Sequence, residues 1–360
     1  MNKARNPYSG LGDAHFWRRA ISRVERHLVD PVVSTGFRIG REDRVATAGS
    51  CFAQHIARRL GDAGFNYQVV EAGEGLSEQE RKARNYRVFS ARYGNIYNTR
   101  QLLQLFRRAH SEFVPIEDHW LRPDGRYADP FRPNIEPEGF ASVEELRADR
   151  DRHLDAVREL FATTDVFVFT LGLTEGWRSR RDGAAYPLAP GVVAGEYSEA
   201  KHEFVNAGAA ETAQDLKDFL AALRAVNPDV RVLLTVSPVP LVATHENRHV
   251  LVSTTYSKSV LRVAAEETVR THEGVDYFPS YEIITGSFNF GTYYEADARE
   301  VTEPGVAHAM RCFMANYLEP AANGRDGSAA PASLRPDGPS DPKIPGDVVC
   351  DEEAIGQIDI

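Results

Sequence analysis

The residues with the most chemical promise are Gly49-Ser50-Cys51, where the apolar run Val45-Ala46-Thr47-Ala48-Gly49 gives way to residues 52–60 with apolar side chains at helical spacing. That pattern predicts a strand, a tight turn and a helix, with Ser50 in the turn. In an open parallel sheet the carboxyl ends of the strands face the ligand crevice, and the next helix aims unpaired N–H groups at the same place. A serine hydroxyl there can attack a carbonyl carbon while the N–H of Ser50 or Cys51 meets the resulting oxyanion. Serine also caps helices through its side chain, and position alone leaves the two roles equal. The Cys51 thiol is a second nucleophile if the helix terminus depresses its pKa, although a small buried side chain is its plainer role. Glu175 and Trp177 follow a predicted strand end and are placed to line a pocket. Lys258 and Arg262, one turn apart, suit either an anionic ligand or a solvated helix face.

Elements that would position these groups alternate along the chain. Further strands are predicted over 67–70, 166–171, 230–236 and 275–278, each rich in β-branched or aromatic residues. Helices are predicted over 99–110, 143–161, 209–226, 257–271 and 303–317, and Asn227-Pro228-Asp229 stops the third of them just before a strand. Such alternation predicts an α/β fold with a parallel sheet covered on both faces. Residues 1–40, with Tyr8, Phe16, Trp17, Arg18 and Arg19, are expected to form an arm packed on a domain spanning 41–320. Between 111 and 140 prolines and glycines multiply around Trp120, Tyr127 and Phe131, which suits an ordered rim or a packed surface excursion.

At 360 residues, 42% hydrophobic and 26% charged, the chain can bury one extended core. Its net charge of −10 repels nucleic-acid phosphates and anionic membranes, so no nucleic-acid partner is expected. The absence of a run of about 18 apolar residues argues against a membrane span, and Met1 to Pro7 lack the apolar stretch of a secretory signal, so a cytoplasmic location is expected. Cys51, Cys312 and Cys350 are too far apart for a zinc-type cluster or a disulfide framework, and no glycine-rich phosphate loop announces a cofactor, so neither metal nor cofactor is expected. Residues 321–360 carry three basic side chains against eight acidic ones among Ala, Gly, Pro and Ser. They are expected to be a disordered acidic tail, with a short docking peptide for a protein partner near its end.

Gly49-Ser50-Cys51-Phe52-Ala53 also spells the pentapeptide of the GSCFA family, which belongs with the SGNH-type hydrolases. Gly94-Asn95-Ile96-Tyr97-Asn98, Phe169 to Glu175, Ser237-Pro238-Val239, Ser257-Lys258 with Leu261-Arg262, and Tyr277 to Glu282 resemble the family's other blocks in the expected order, over roughly 40–318. The resemblance implies a three-layer α/β/α sandwich with a flavodoxin-like parallel sheet, and serine esterase or acyltransferase chemistry with Ser50 as nucleophile. The substrate it implies is an O-acyl ester, small or carried on a carbohydrate or cell-envelope molecule. Gly94 resembles the glycine that helps the serine N–H bind the oxyanion, and Thr174 falls where the family plan puts an asparagine, leaving Asn95 or Asn98 to complete the hole. Where that plan calls for Asp-x-x-His before the last helix, the chain reads Asp297-Ala298-Arg299-Glu300. A base must then come from Glu300 with a raised pKa, or from His245 or His249 in the loop after Ser237-Pro238-Val239; His308 lies further off. The alternative is a binding or scaffold protein that keeps the crevice without its histidine.

Overall fold

Four apolar runs, β1 (Val45–Gly49), β2 (Val166–Leu171), β3 (Arg231–Val236) and β4 (Val275–Phe278), pair in parallel in that order in the computed structural model, which describes residues 6–320 and 351–356. Because successive side chains point to opposite faces of a strand, each run supplies two cores. Ala46, Ala48, Phe167, Phe169, Leu171, Val232 and Leu234 face helices α2 (Thr99–Ala109), α3 (Val143–Thr163), α4 (Ala209–Val226) and α5 (Val250–Thr271). Val45, Val166, Val168 and Leu233 face α1 (Ala53–Asp62) and α6 (Glu303–Tyr317). The result is a three-layer α/β/α sandwich with a flavodoxin-like sheet.

The strand predicted over 67–70 is reduced to a single bridge between Tyr67 and Val45. Side chains replace it along the outer edge of β1: the Thr47 N–H donates to Ser90 Oγ at 3.0 Å, and the Tyr93 hydroxyl donates to the Thr47 carbonyl. With its buried edge groups satisfied in this way, β1 needs no longer partner. Helix α5 begins seven residues earlier than predicted, because His249 Nδ1 accepts from the Leu251 N–H at 3.1 Å and caps it.

A second, antiparallel sheet was not foreseen. Glu175–Ser179 pairs with Ala185–Tyr186 on one side and His202–Asn206 on the other, just beyond the carboxyl end of β2. The proline-rich segment 111–140 packs on it as a surface excursion, with Trp120 among Phe131, Ala184, Tyr186 and Ala194. In the N-terminal arm, the Val29 carbonyl accepts from His308 Nε2 at 2.6 Å, and the Ile39 N–H donates to the Tyr317 carbonyl at 2.7 Å. Among the described residues no helix is long and apolar enough to cross a membrane.

Buried charge ties the excursion to the main domain. Arg92, 1% exposed, donates to Asp149 at 3.1 Å, to Glu136 at 2.6 Å and to the Ile135 carbonyl at 3.1 Å, while Arg132 bridges Asp129 and Asp149. Burial alone would raise Glu71, but His153 and Arg132 hold it down to about 2. Removing one partner from such a network leaves charge stranded in a poor solvent. Arg92→Ala is therefore expected to lower the unfolding free energy by about 3–5 kcal/mol in urea titrations at neutral pH; a loss below about 1 kcal/mol would show that the network holds nothing together.

Candidate active site

β1 ends at Gly49 with φ +137°, where an added Cβ would lie 2.3 Å from the Thr170 carbonyl oxygen, so only glycine lets the turn form against β2. The Ser50 N–H donates to that same carbonyl at 3.1 Å, and the Ser50 carbonyl accepts from the Ala53 N–H at 2.9 Å. The cap position of α1 is Phe52, and no side chain caps the helix. Ser50 Oγ is buried and has no hydrogen-bond partner among the described residues. The hydroxyl is thus not used as a cap, and it borders a narrow cleft whose walls include Tyr97, Gly172, Leu173, Lys258 and Glu352.

Backbone hydrogen bonds lock the family-like blocks around this turn. The Ile96 N–H donates to the Gly49 carbonyl at 2.9 Å, and the Tyr97 carbonyl accepts from Gly172 and Leu173 at 2.9 and 3.1 Å. Ser237 N–H donates to the Leu171 carbonyl at 2.8 Å, bringing the fourth block to the same rim. Gly172 is closely packed, since a Cβ there would stand 3.2 Å from Ser50 Cβ and 3.0 Å from the Tyr97 oxygen and would require both to shift slightly.

Lys258, expected either to meet an anionic ligand or to lie on a solvated helix face, is on the cleft wall. It is 2% exposed, and its Nζ donates to the Gly172 carbonyl at 2.5 Å on the wall of the Ser50 cleft. Burial lowers its pKa to about 8, against the upward pull of Glu352 and Cys51. Lys258, Leu261, Ala265 and Thr268 share one buried stripe of α5. Arg262 instead pairs with Glu282 at 2.7 Å and Glu266 at 2.9 Å.

The residues expected to supply a base lie elsewhere. Asp297 and Glu300 are exposed, and Asp297 Oδ1 accepts from the N–H groups of Arg299 and Glu300, both at 3.0 Å, closing the loop on itself. Arg299 between them is the residue that turns inward, 3.5 Å from Glu352. His245 is exposed and stacks against Trp177 and Phe204, with ring centroids 4.9 and 5.0 Å away; His249 caps α5. His308 is held between the Tyr293 hydroxyl and the Val29 carbonyl. None of these histidines or carboxylates lines the cleft.

Of the remaining candidates, Cys51 is buried on the cleft wall, whereas Asn95 is buried outside it and donates from Nδ2 to Asp351 at 3.0 Å. The Thr174 hydroxyl donates to Asn206 at 2.7 Å, and Asn98 caps α2 by accepting from the Gln101 N–H at 2.9 Å. Thr174, Asn98 and Trp177 line a second pocket, which shares the Leu173 wall with the first. Glu175 accepts from the Thr244 hydroxyl at 2.7 Å, and burial raises its pKa. Among the described residues, no group of three or more His, Cys, Asp or Glu is placed to hold a metal ion.

Part of the tail expected to be disordered is placed. Residues 351–356 lie over the cleft, where polar contacts rather than apolar area hold them: Asp351 is 6% exposed and accepts from Asn134 Nδ2 at 2.8 Å and Asn95 Nδ2 at 3.0 Å. Gly94, with φ +68°, faces this carboxylate, 3.7 Å from where its Cβ would be. Of the docking peptide anticipated over 348–355, residues 351–355 are placed, and 348–350 lie outside the described residues.

The geometry of the serine turn makes a paired prediction. Gly49→Ala is expected to destabilise the fold by about 2–4 kcal/mol because its Cβ meets backbone. Gly61→Ala, inside α1 with no neighbour within 4 Å of the new Cβ, should stabilise by about 0.5–1 kcal/mol. Thermal and urea unfolding of the two variants measure both, and equal effects would contradict the tight turn.

Comparison with curated proteins gives no significant match. Among solved structures, an acetyl xylan esterase from the rumen bacterium Butyrivibrio proteoclasticus is similar at 12% identity over 52% of this chain and 51% of that one, with a TM-score of 0.19. The chain spans about half of that enzyme's length, and a likeness of this size carries no argument about activity. The model of the GSCFA family matches residues 44–313, a span that begins at β1, takes in the serine turn and the glycine, lysine and arginine of the cleft, and ends within α6; the chain belongs to the GSCFA family.

Proposed function

We propose that this protein is a serine esterase or acyltransferase in which Ser50 is the nucleophile and Lys258 the general base. The observation that carries the reading is a buried hydroxyl with no hydrogen-bond partner among the described residues, bordering a cleft whose wall also holds a buried lysine with a pKa near 8. Lysine serves as a base where burial lowers its proton affinity toward the working pH, so it can take the place of the missing histidine. In this scheme Ser50 Oγ attacks the ester carbonyl carbon and its proton passes to the neutral Lys258 amine. The oxyanion meets the Asn95 N–H and Nδ2 after Asp351, which accepts from both, has left them. Collapse breaks the carbon–oxygen bond to the alcohol, which leaves with the proton from Lys258. Water or an acceptor hydroxyl then attacks the acyl-serine, again deprotonated by Lys258, and restores Ser50. An acyl ester on a carbohydrate or cell-envelope molecule suits the neighbouring pocket, where Trp177 offers an aromatic surface beside Asn98 and Thr174.

A second reading, a binding protein that has kept the crevice, is favoured by one observation: Glu352 of the chain's own C-terminal segment already stands in the cleft.

Hydrolysis of p-nitrophenyl acetate separates the two. Ser50→Ala is expected to abolish turnover, and Lys258→Met to lower kcat by about 10²–10⁴-fold, without rescue by Lys258→Arg, whose guanidinium stays protonated. Because the neutral amine is the active form, kcat/KM should rise with pH and level off above about 8. An unchanged rate in Ser50→Ala, or a profile that falls through that range, would favour the binding protein.

A further inference from the structure

The polar groups that surround residues 351 and 352 come from four separate parts of the chain. Asn95 and Tyr97 belong to the segment that leads into α2, Asn134 to the proline-rich excursion, Lys258 to α5 and Arg299 to the loop before α6. Asp351 takes hydrogen bonds on both oxygens, from Asn134 Nδ2 at 2.8 Å on Oδ1, and from Asn95 Nδ2 at 3.0 Å and the Asn95 N–H at 3.4 Å on Oδ2. Glu352 stands 3.5 Å from the Arg299 guanidinium, and its own N–H donates to the Tyr97 hydroxyl at 3.2 Å. Asn134, Asn95 and Arg299 are thus aimed at negative charge, and buried Lys258 gains a counter-charge from the same segment.

We infer that the Ser50 cleft, which takes Glu352, and the Asn95 and Asn134 side chains next to it, which take Asp351, form one binding site for two adjacent carboxylates, and that residues 351–356 are its intramolecular ligand, which any external ligand must displace. The ligand class is an acidic peptide or other molecule with two carboxylates about one residue apart. A ligand joined covalently to its site acts at an effective concentration on the order of millimolar, so the segment holds the cleft without high intrinsic affinity. Glu352 and Ser50 share the cleft, so occupation by the segment keeps an ester away from the hydroxyl. The binding itself does not depend on catalysis; only this effect on turnover rests on the esterase reading.

Fluorescence polarisation with a fluorescein-labelled hexapeptide Asp-Glu-Glu-Ala-Ile-Gly tests the inference on full-length chains. The natural chain, with its cleft filled in cis, should bind the peptide weakly. The double variant Asp351→Asn/Glu352→Gln should bind it at least tenfold more tightly, and adding Asn134→Ala should remove that gain. A peptide with Asn and Gln in place of its first two acids should bind neither chain. Near-ultraviolet circular dichroism and melting of the double variant verify its fold, with Asp351→Ala/Glu352→Ala as a second route to an open cleft. Equal affinity of the two chains for the acidic peptide, or no discrimination against the amide peptide, would overturn the inference. The esterase reading can fail separately, when the acidic peptide binds as expected but neither chain turns over p-nitrophenyl acetate.

Discussion

The site depends on one backbone junction, the Tyr97 carbonyl that accepts from both Gly172 and Leu173 while its neighbour Ile96 donates to Gly49. Three segments far apart in sequence are held there within one hydrogen bond of the serine turn. The junction lies at the carboxyl ends of β1 and β2, where the parallel ladder runs out and its last polar groups need partners. Those partners come from the chain itself and are close-packed, which is why Gly49 leaves no space for a Cβ and Gly172 very little. A consequence is that the Ser50 N–H is already occupied by the Thr170 carbonyl.

Electrostatics around the cleft follow from this geometry. With Glu300 exposed and Arg299 turned inward, the loop that in the family plan delivers a histidine delivers a cation here. Lys258 lies on the other side, buried deeply enough that its charge is costly unless matched. Glu352 supplies the match, and by doing so raises the lysine's proton affinity. Departure of the tail would therefore open the cleft and also favour the neutral amine, so that occupation of the cleft and the protonation state of Lys258 are coupled through the same carboxylate.

Much of the sandwich was legible from sequence because its strands are continuous apolar runs and its helices end on recognisable residues. β1, β2 and β4 and helices α4 and α6 begin and end where the pattern places them. The antiparallel sheet was not legible: Glu175–Ser179 and His202–Asn206 mix charge, glycine and aromatics, and their pairing is a tertiary matter. Ser50 was visible because turn chemistry is local. Lys258 was visible as a cation one turn from Arg262, but its burial was not, because a helix face that carries two cations reads as solvated. The placement of residues 351–356 could not be seen, since hydropathy registers apolar area and this segment is held by amides and a guanidinium from distant parts of the chain.

The central claim is that the Ser50 hydroxyl is the group presented for reaction. Intact-mass spectrometry of the full chain after incubation with a fluorophosphonate at pH 9, followed by peptide mapping, tests it most directly. A single adduct on the peptide containing Ser50, lost in Ser50→Ala, is the expected result; no adduct after prolonged incubation, or one on another residue, would contradict the account.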